Sequence, residues 1–330
     1  MAPTVSIIMP AYNAERYIGR AIASALDQTF EDFELLIVDD ASTDGTIEVI
    51  RSFGDRRIKL FVNSENMGAA VARNCALEAA AGTWIAVLDS DDWYDPARLE
   101  TLLSIAELDK ADMIADDLHY VLAGTEQTKG TLISQSGYHF KDVTLIDPVF
   151  FVRTDVFAQK GLHLGYCKPM IRRSFLEQQS IRYNPELRLG QDYWLYLDCL
   201  VNGASYYLVP EAYYFYRLRS DSLVSHSKIS RLKGYCKVAQ AFLARPSVQA
   251  DSELSDSIQA SLDVYRKNIS YYRVLEPLRR KKWARALGAM PRNPYFFILA
   301  MQRAQQVFHR YWTAYVTKDK QNSEARLFNH

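Results

Sequence analysis

The chain has 330 residues, 48% of them hydrophobic and 24% charged, which is ordinary globular composition and enough length for one large domain or two smaller ones. Basic and acidic residues balance at 39 each, so no global field favours nucleic acid as a partner. The four cysteines (Cys75, Cys167, Cys199, Cys236) are far apart and form no CxxC pair, which argues for reduced thiols over a disulfide framework or a zinc site.

The opening run Val5 to Met9 reads as a buried strand, and no basic segment precedes it, so no signal peptide is expected. Apolar residues at Tyr17, Ile18, Ala21, Ile22 and Ala25 follow helical spacing. Strand-like and helical stretches then alternate. Phe33 to Val38, Ile58 to Val62 and Thr83 to Leu88 are the strands; Thr43 to Ser52, Ala69 to Ala81 and Pro96 to Leu108 are the helices. This alternation predicts a parallel sheet covered by helices, with ligands beyond the carboxyl ends of the strands. Polar residues do gather there: Pro10-Ala11-Tyr12-Asn13 after the first strand, Asp39-Asp40-Ala41-Ser42 after the second, Asp89-Ser90-Asp91-Asp92 after the fourth.

The stretch AVLDSDDWYD, residues 86 to 95, poses the sharpest chemical question, because an apolar strand runs into Asp89, Asp91, Asp92 and Asp95. Carboxylates this close repel and need a cation. In an extended segment residues i and i+2 share a side, so Asp89 and Asp91 are expected to converge on a hard divalent ion, Mg²⁺ or Mn²⁺, with substrate phosphate completing its shell. Asp95, before Pro96, reads as a helix N-cap.

Three segments, VSIIMPAYNAERYIGRAIASALDQTFEDFELLIVDDASTDGT, NMGAAVARN and LDSDDW, occur in this order and spacing. Together they resemble the inverting family 2 glycosyltransferases over residues 4 to about 220. The resemblance implies an α/β fold of GT-A type, Rossmann-like, with a mostly parallel central sheet, helices on both faces and a C-terminal helical region. Residues 1–225 would form the catalytic domain, 1–110 its nucleotide-binding half and 111–225 its acceptor-side half, with 226–330 a helical extension. The family's roles carry over residue by residue. Asp91 resembles the principal metal ligand, with Asp89 a second ligand or a ribose contact and Asp92 less defined. Tyr12 resembles the aromatic against the base, with Pro10 shaping its loop and Ser90 in the same nucleotide-binding set. Asp40 resembles the acid that accepts from a uracil nitrogen, and Asp39 either joins it or orients the loop. Arg73 resembles a nucleotide-side cation or pairs structurally at the edge of the core.

Inverting transfer is one in-line displacement, so it needs a general base for the acceptor hydroxyl. The family places that base in a Glu-Asp pair at a helix start. Here the stretch is Gly190-Gln191-Asp192-Tyr193-Trp194, which keeps the aspartate and has Gln191 in place of the glutamate. The plain alternative for Asp192 is an acid favoured by the helix dipole. Tyr216-Arg217-Leu218-Arg219-Ser220-Asp221-Ser222 resembles a further family segment in which histidine is commoner than Arg219. Asp92, Arg217, Arg219, Lys168 and Arg172 are candidate diphosphate or acceptor contacts; for the cations the alternative is a solvated or structural role.

Residues 122 to 147 read as a polar excursion, and from residue 226 the chain reads as helices. Residues 273 to 310 hold nine Lys or Arg against Glu276 alone, interleaved with Trp283, Tyr295, Phe296, Phe297 and Phe308, and Tyr311 and Trp312 follow. Such a basic amphipathic segment either meets an anionic membrane surface or packs its apolar face on the rest of the chain. The seven apolar residues from Tyr295 to Met301 are too few for a spanning helix, which needs about 20. The expectation is an enzyme that moves a sugar from a UDP-sugar to a glycan or lipid-linked acceptor. It would be cytoplasmic, not integral to a membrane, and peripheral at the inner face of the cell membrane. Two rivals are a sugar nucleotidyltransferase, which would want a glycine-rich loop where Pro10-Ala11-Tyr12-Asn13 stands, and a non-catalytic scaffold, which the acids at 40, 89, 91 and 192 argue against.

Overall fold

The computed structural model describes residues 2–122, 124–125, 127–218 and 228–305. The first half alternates as expected: β1 (Val5–Ala11), α1 (Ile18–Leu26), β2 (Phe33–Asp39), α2 (Thr46–Ser52), β3 (Ile58–Val62), α3 (Ala69–Ala79) and β4 (Trp84–Val87). A short β5 (Trp93–Tyr94) and α4 (Arg98–Leu108) follow. Next come β6 (Met113–Leu122), β7 (Thr128–Thr131), α5 (Leu132–Ser136), β8 (Thr144–Ile146), α6 (Pro148–Thr154), β9 (Met170–Arg172), α7 (Arg173–Gln178), α8 (Gln191–Val201) and β10 (Tyr206–Leu218). The last part is helical: α9 (Lys228–Leu243), α10 (Pro246–Ala250), α11 (Ser252–Arg279), α12 (Trp283–Ala289), and a helical run over 295–305.

One sheet runs in the order β3-β2-β1-β4-β9-β6-β10-β5, with β7 on β6 and β8 on β10. β1, β2, β3, β4, β6 and β10 point the same way, and β9 enters antiparallel between β4 and β6. The order reverses beside β1, whose neighbours are β2 and β4, so the crevice at the carboxyl ends of these strands is the natural ligand position. β2 and β4 are buried throughout because helices cover both faces, which is why they read as continuous apolar runs. On α1 the buried residues Ile18, Ala21, Ile22 and Ala25 form the stripe that the spacing predicted.

Some local expectations shift. Asp95 does not cap α4 directly; its carboxylate accepts from the Ala97 N–H, one residue before the helix. The excursion at 122–147 contains β7, α5 and β8. The segment that includes Tyr216 and Arg217 belongs to the long strand β10, whose register against β6 shifts between Val209 and Ala212 and again before Tyr214. Pro210 lacks the N–H that an unbroken ladder would need, so a bulge sits there.

Packing divides the chain into two compact units. Residues 1–225 with 238–261 make the first, and residues 226–237 with 262–330 the second. In the second, Phe296 stacks on Tyr271 with ring centroids 5.7 Å apart, and Arg303 lies 4.1 Å over Tyr271 and donates to Asn268 at 2.8 Å. Phe297, Ile298 and Met301 remain exposed on that run, as do Trp283 and Leu287 on α12.

The first unit also buries an ion pair that sequence reading did not single out. Arg98 of α4 and Asp116 of β6 have fully buried side chains. Arg98 Nη2 donates to Asp116 Oδ1 at 2.7 Å and to the Lys168 carbonyl, while Asp116 Oδ2 accepts from the Tyr213 N–H at 3.0 Å. Tyr94 and Tyr214 flank the guanidinium at 4.4 and 5.3 Å. Removing one member strands the other charge in the core. Asp116→Ala is therefore expected to lose about 3–5 kcal/mol in urea unfolding, and Arg98→Met with Asp116→Leu to lose less than that single change. A double variant no more stable than Asp116→Ala would count against the pair as the reason.

Candidate functional site

The loops after β1 and β2 are tied to each other. The Asn13 N–H donates to Ser42 Oγ at 2.9 Å, Asn13 Oδ1 accepts from the Thr43 N–H at 2.8 Å, and the Ala14 N–H donates to Thr46 Oγ1 at 2.8 Å. Pro10 lies one residue before the end of β1, opposite Val38, and Tyr12 follows the strand with 45% of its surface exposed. Asp39 is buried, and its two oxygens accept from the Ser42 N–H and Oγ, so it orients this loop. Asp40 is also buried. It accepts from Asn63 Nδ2 at 2.8 Å, the Met67 N–H at 3.0 Å and the Gly68 N–H at 2.6 Å, where Gly68 takes φ 96° to start α3. Asp40 thus joins the end of β2 to the start of α3.

The acidic stretch after β4 is a turn and not an extended segment. β4 ends at Val87, and the Asp92 N–H donates to the Asp89 carbonyl at 3.0 Å, with Ser90 and Asp91 at the bend. The i, i+2 convergence expected of Asp89 and Asp91 therefore does not apply. The Asp89 carboxylate meets two cations from elsewhere in the chain, Arg73 Nη2 on Oδ1 at 2.5 Å and Lys168 Nζ on Oδ2 at 3.0 Å. Burial alone would raise this carboxyl; Lys168 and Arg73 outweigh it and hold the group well below the usual carboxylate range. Asp92 is buried and accepts from Tyr214 Oη and the Arg217 N–H, both at 2.8 Å. Burial, then repulsion from Asp91 and Asp89, raises its carboxyl above the ordinary value. Arg217 Nε donates to the Asp91 carbonyl at 2.9 Å, and its guanidinium lies 4.8 Å over Trp93. Asp91 itself is half-buried at the bend.

Asp192 stands in the first turn of α8, as the motif suggested, and the structure brings it to the same cations. Lys168 Nζ donates to Asp192 Oδ2 at 2.6 Å, and Arg73 Nη1 is 3.3 Å from Oδ1. Gln191 completes the group: Oε1 accepts from Arg73 Nη1 at 3.0 Å, and Nε2 donates to the Leu187 carbonyl at 2.6 Å. Arg73 and Lys168 are nearly fully buried, and two cations face two carboxylates. Burial opposes the charge on Lys168, but Asp192 and Asp89 raise its ammonium above the ordinary value. A glutamate at position 191 would give Arg73 a third carboxylate. The neutral amide keeps the cluster balanced.

Arg172 is not part of this group. It lies on β9 opposite Trp84, at the start of β4, with its guanidinium 4.5 Å over that ring and its Nε donating to the Ala111 carbonyl. Alternation along β9 and the end of β4 it meets place it away from the acids. Arg219 lies outside the described residues. Arg98 and Asp116 were missed. The signal was Asp116-Asp117 inside the apolar run of β6, where a buried acid demands a partner.

Among the described residues no group of three His, Cys, Asp or Glu side chains could hold a metal ion. Asp89 is already matched by two cations and Asp92 by two hydrogen-bond donors. The acids of this turn therefore do not form a cage of several carboxylates around an ion.

Comparison with known proteins agrees with this architecture. The family described as "Glycosyl transferase family 2" matches residues 6–178. The succinoglycan biosynthesis protein ExoU of Rhizobium meliloti (strain 1021) is 38% identical over 258 residues, 76% of this chain and 73% of that protein. WfgD of Escherichia coli, described as a UDP-Glc:alpha-D-GlcNAc-diphosphoundecaprenol beta-1,3-glucosyltransferase, is 33% identical over 243 residues, 73% of this chain and 87% of that protein. Among solved structures, S. aureus TarS 1-349 in complex with UDP superposes with a TM-score of 0.63 at 17% identity, covering 92% of each chain, a likeness of fold. With the motif order, the sheet and these relatives in agreement, the chain belongs to glycosyl transferase family 2 and is a glycosyltransferase of GT-A architecture.

Proposed function

We propose that this glycosyltransferase moves a sugar from a nucleotide donor, a UDP-sugar, to a hydroxyl of a glycan or lipid-linked acceptor in polysaccharide biosynthesis, with inversion and with the help of Mg²⁺ or Mn²⁺. The catalytic domain is residues 1–225, its first 110 residues serving the nucleotide and residues 111–225 the acceptor, with 226–330 as the helical extension. The observation that carries the reading is at Asp192. Its Oδ2 is held by Lys168, while Oδ1 is buried without a hydrogen-bond partner beside Arg73. A buried acceptor atom left unsatisfied is costly, and an incoming hydroxyl would satisfy it.

In this reading Tyr12 packs against the base, with Pro10 and Ser90 shaping the nucleotide side and Asp40 and Asp39 fixing the loops around it. Asp91 would hold the cation, which would supply positive charge for the departing diphosphate. Arg73 and Lys168 stand within the same cluster and supply fixed positive charge beside it. Asp192 Oδ1 accepts the proton of the acceptor hydroxyl as that oxygen attacks the anomeric carbon and the nucleoside diphosphate departs. The likeness to WfgD supports UDP-glucose and a diphosphate-linked lipid acceptor as the first pair to try.

The test measures UDP release from UDP-glucose with an N-acetylglucosaminyl diphospholipid, with Mn²⁺ or with EDTA. Transfer is expected to require the metal. Asp192→Asn is expected to bind UDP as the parent does in calorimetry and to lose about 10²–10⁴ in transfer rate. A variant that transfers within a few-fold of the parent would remove Asp192 as the base.

The second unit supports reversible attachment to an anionic membrane. No helix among the described residues is long and apolar enough to cross one. Trp283, 62% exposed, and Leu287 lie four residues apart on α12, and Phe297 and Met301 repeat that spacing on the run over 295–305. Arg279, Arg280, Lys281, Lys282, Arg285 and Arg292 are exposed around them. Arg310, Phe308, Tyr311 and Trp312 lie outside the described residues. Each basic residue near an anionic surface contributes about 1 kcal/mol, screened over a Debye length of about 10 Å at 0.1 M salt. Co-sedimentation is expected with phosphatidylserine vesicles at low salt and to fall at high salt. Binding that ignores lipid charge, or none, would return these cations to the role of a solvated face.

A further inference from the structure

The segment between α6 and β9 is braced around one exposed aromatic ring, two residues before the Lys168 of the ion cluster. Asp155, at the end of α6, accepts from the Gly165 N–H at 2.9 Å and pairs through Oδ1 with His163 Nδ1 at 2.8 Å. His163 Nε2 meets the Gln159 carbonyl at 3.0 Å, so both ring nitrogens face acceptors. Gly165 has no room for a side chain: a Cβ there would come within 2.8 Å of Asp155 Oδ2 and 2.9 Å of Tyr193 Cβ. The loop therefore presses against the residue that follows Asp192, and two residues after Tyr166 it delivers Lys168 to the cluster. Tyr166 is 46% exposed, an unusual fate for a large ring on so constrained a segment. It meets Tyr216 at 5.8 Å and His163 at 6.0 Å, both steeply inclined to it, and Tyr216 in turn meets Tyr120 at 6.0 Å. Cys167, next to it in the chain, is buried.

We propose that Tyr166 is the stacking platform of an acceptor-sugar subsite, an assignment that rests on the reading of Asp192 as the base. The ring's negative π-face suits the apolar C–H face of a pyranose, and an aromatic with one polar end fits a ligand half apolar and half wet. The class indicated is a gluco-configured pyranoside, whose axial C–H bonds form two continuous apolar faces while its hydroxyls stay equatorial and free to meet polar groups at the rim. Stacking secures the ring plane, and the choice of hydroxyl is left to the polar groups around it.

Saturation-transfer NMR with methyl β-D-glucopyranoside and methyl N-acetyl-β-D-glucosaminide, in the presence of UDP, tests this directly without turnover. The parent is expected to saturate the ring C–H protons of at least one probe. Tyr166→Ala should weaken that binding about tenfold, and Tyr166→Trp and Tyr166→Phe should retain it. UDP affinity by calorimetry should be the same in all three variants. Equal probe binding by Tyr166→Ala, no probe binding by the parent, or a parallel loss of UDP affinity would each overturn the platform. Asp192→Asn separates the two assignments: an error in the base leaves glycoside binding through Tyr166 intact, and an error in the platform leaves the transfer defect of Asp192→Asn intact.

Discussion

Two buried cations, Arg73 and Lys168, face two carboxylates, Asp89 and Asp192, and the site depends on their mutual neutralisation. The four residues come from α3, the end of β4, the approach to β9 and the start of α8. No single element holds them. Desolvating four charges is strongly unfavourable unless each finds partners, so the cluster constrains where these segments can pack. It couples the end of the parallel half of the sheet to the later, mixed half, and it keeps the carboxylate proposed as base in one place. Gln191 belongs to this balance, since it donates and accepts without adding charge.

A second tier supports the first. Arg98 and Asp116 are buried beneath the cluster's lysine, and Arg98 binds the Lys168 carbonyl. Arg217 performs a comparable task on the acidic turn, bonding to the Asp91 carbonyl through its side chain and to Asp92 through its backbone. Catalytic groups need such support, because a small displacement of a base costs much of its effect. The bulge of β10 near Pro210 serves the same end: beyond it the Tyr213 N–H meets Asp116 and Tyr214 Oη meets Asp92.

Much of the α/β half was legible because its signals are local. β3 was read to the residue, α1 showed its apolar stripe, and the strand ends carried the polar residues. Asp192 was reached through the family's motif, and it does stand in the first turn of α8. What sequence could not supply was pairing at long separation. Asp89 and Asp91 were expected to converge on a divalent ion, yet Asp89 meets Arg73 from 16 positions away and Lys168 from the approach to β9. Period-two reasoning failed at Asp89–Asp92 because the strand had already ended. Arg172 was grouped with Lys168 by proximity in the chain, although the β9 pairing carries it to Trp84. Residues 122–147 and the long β10 resisted because weak alternation and a proline bulge hide strands from periodicity.

Lys168 and Asp192 are coupled inside this cluster. A double-mutant cycle in urea unfolding, with Lys168→Met, Asp192→Asn and the pair, measures that coupling. The account predicts a loss of about 3–5 kcal/mol for Lys168→Met alone, which strands both carboxylates on Arg73, and an interaction energy of at least about 1 kcal/mol in the cycle. Effects that add to within about 0.5 kcal/mol would contradict it.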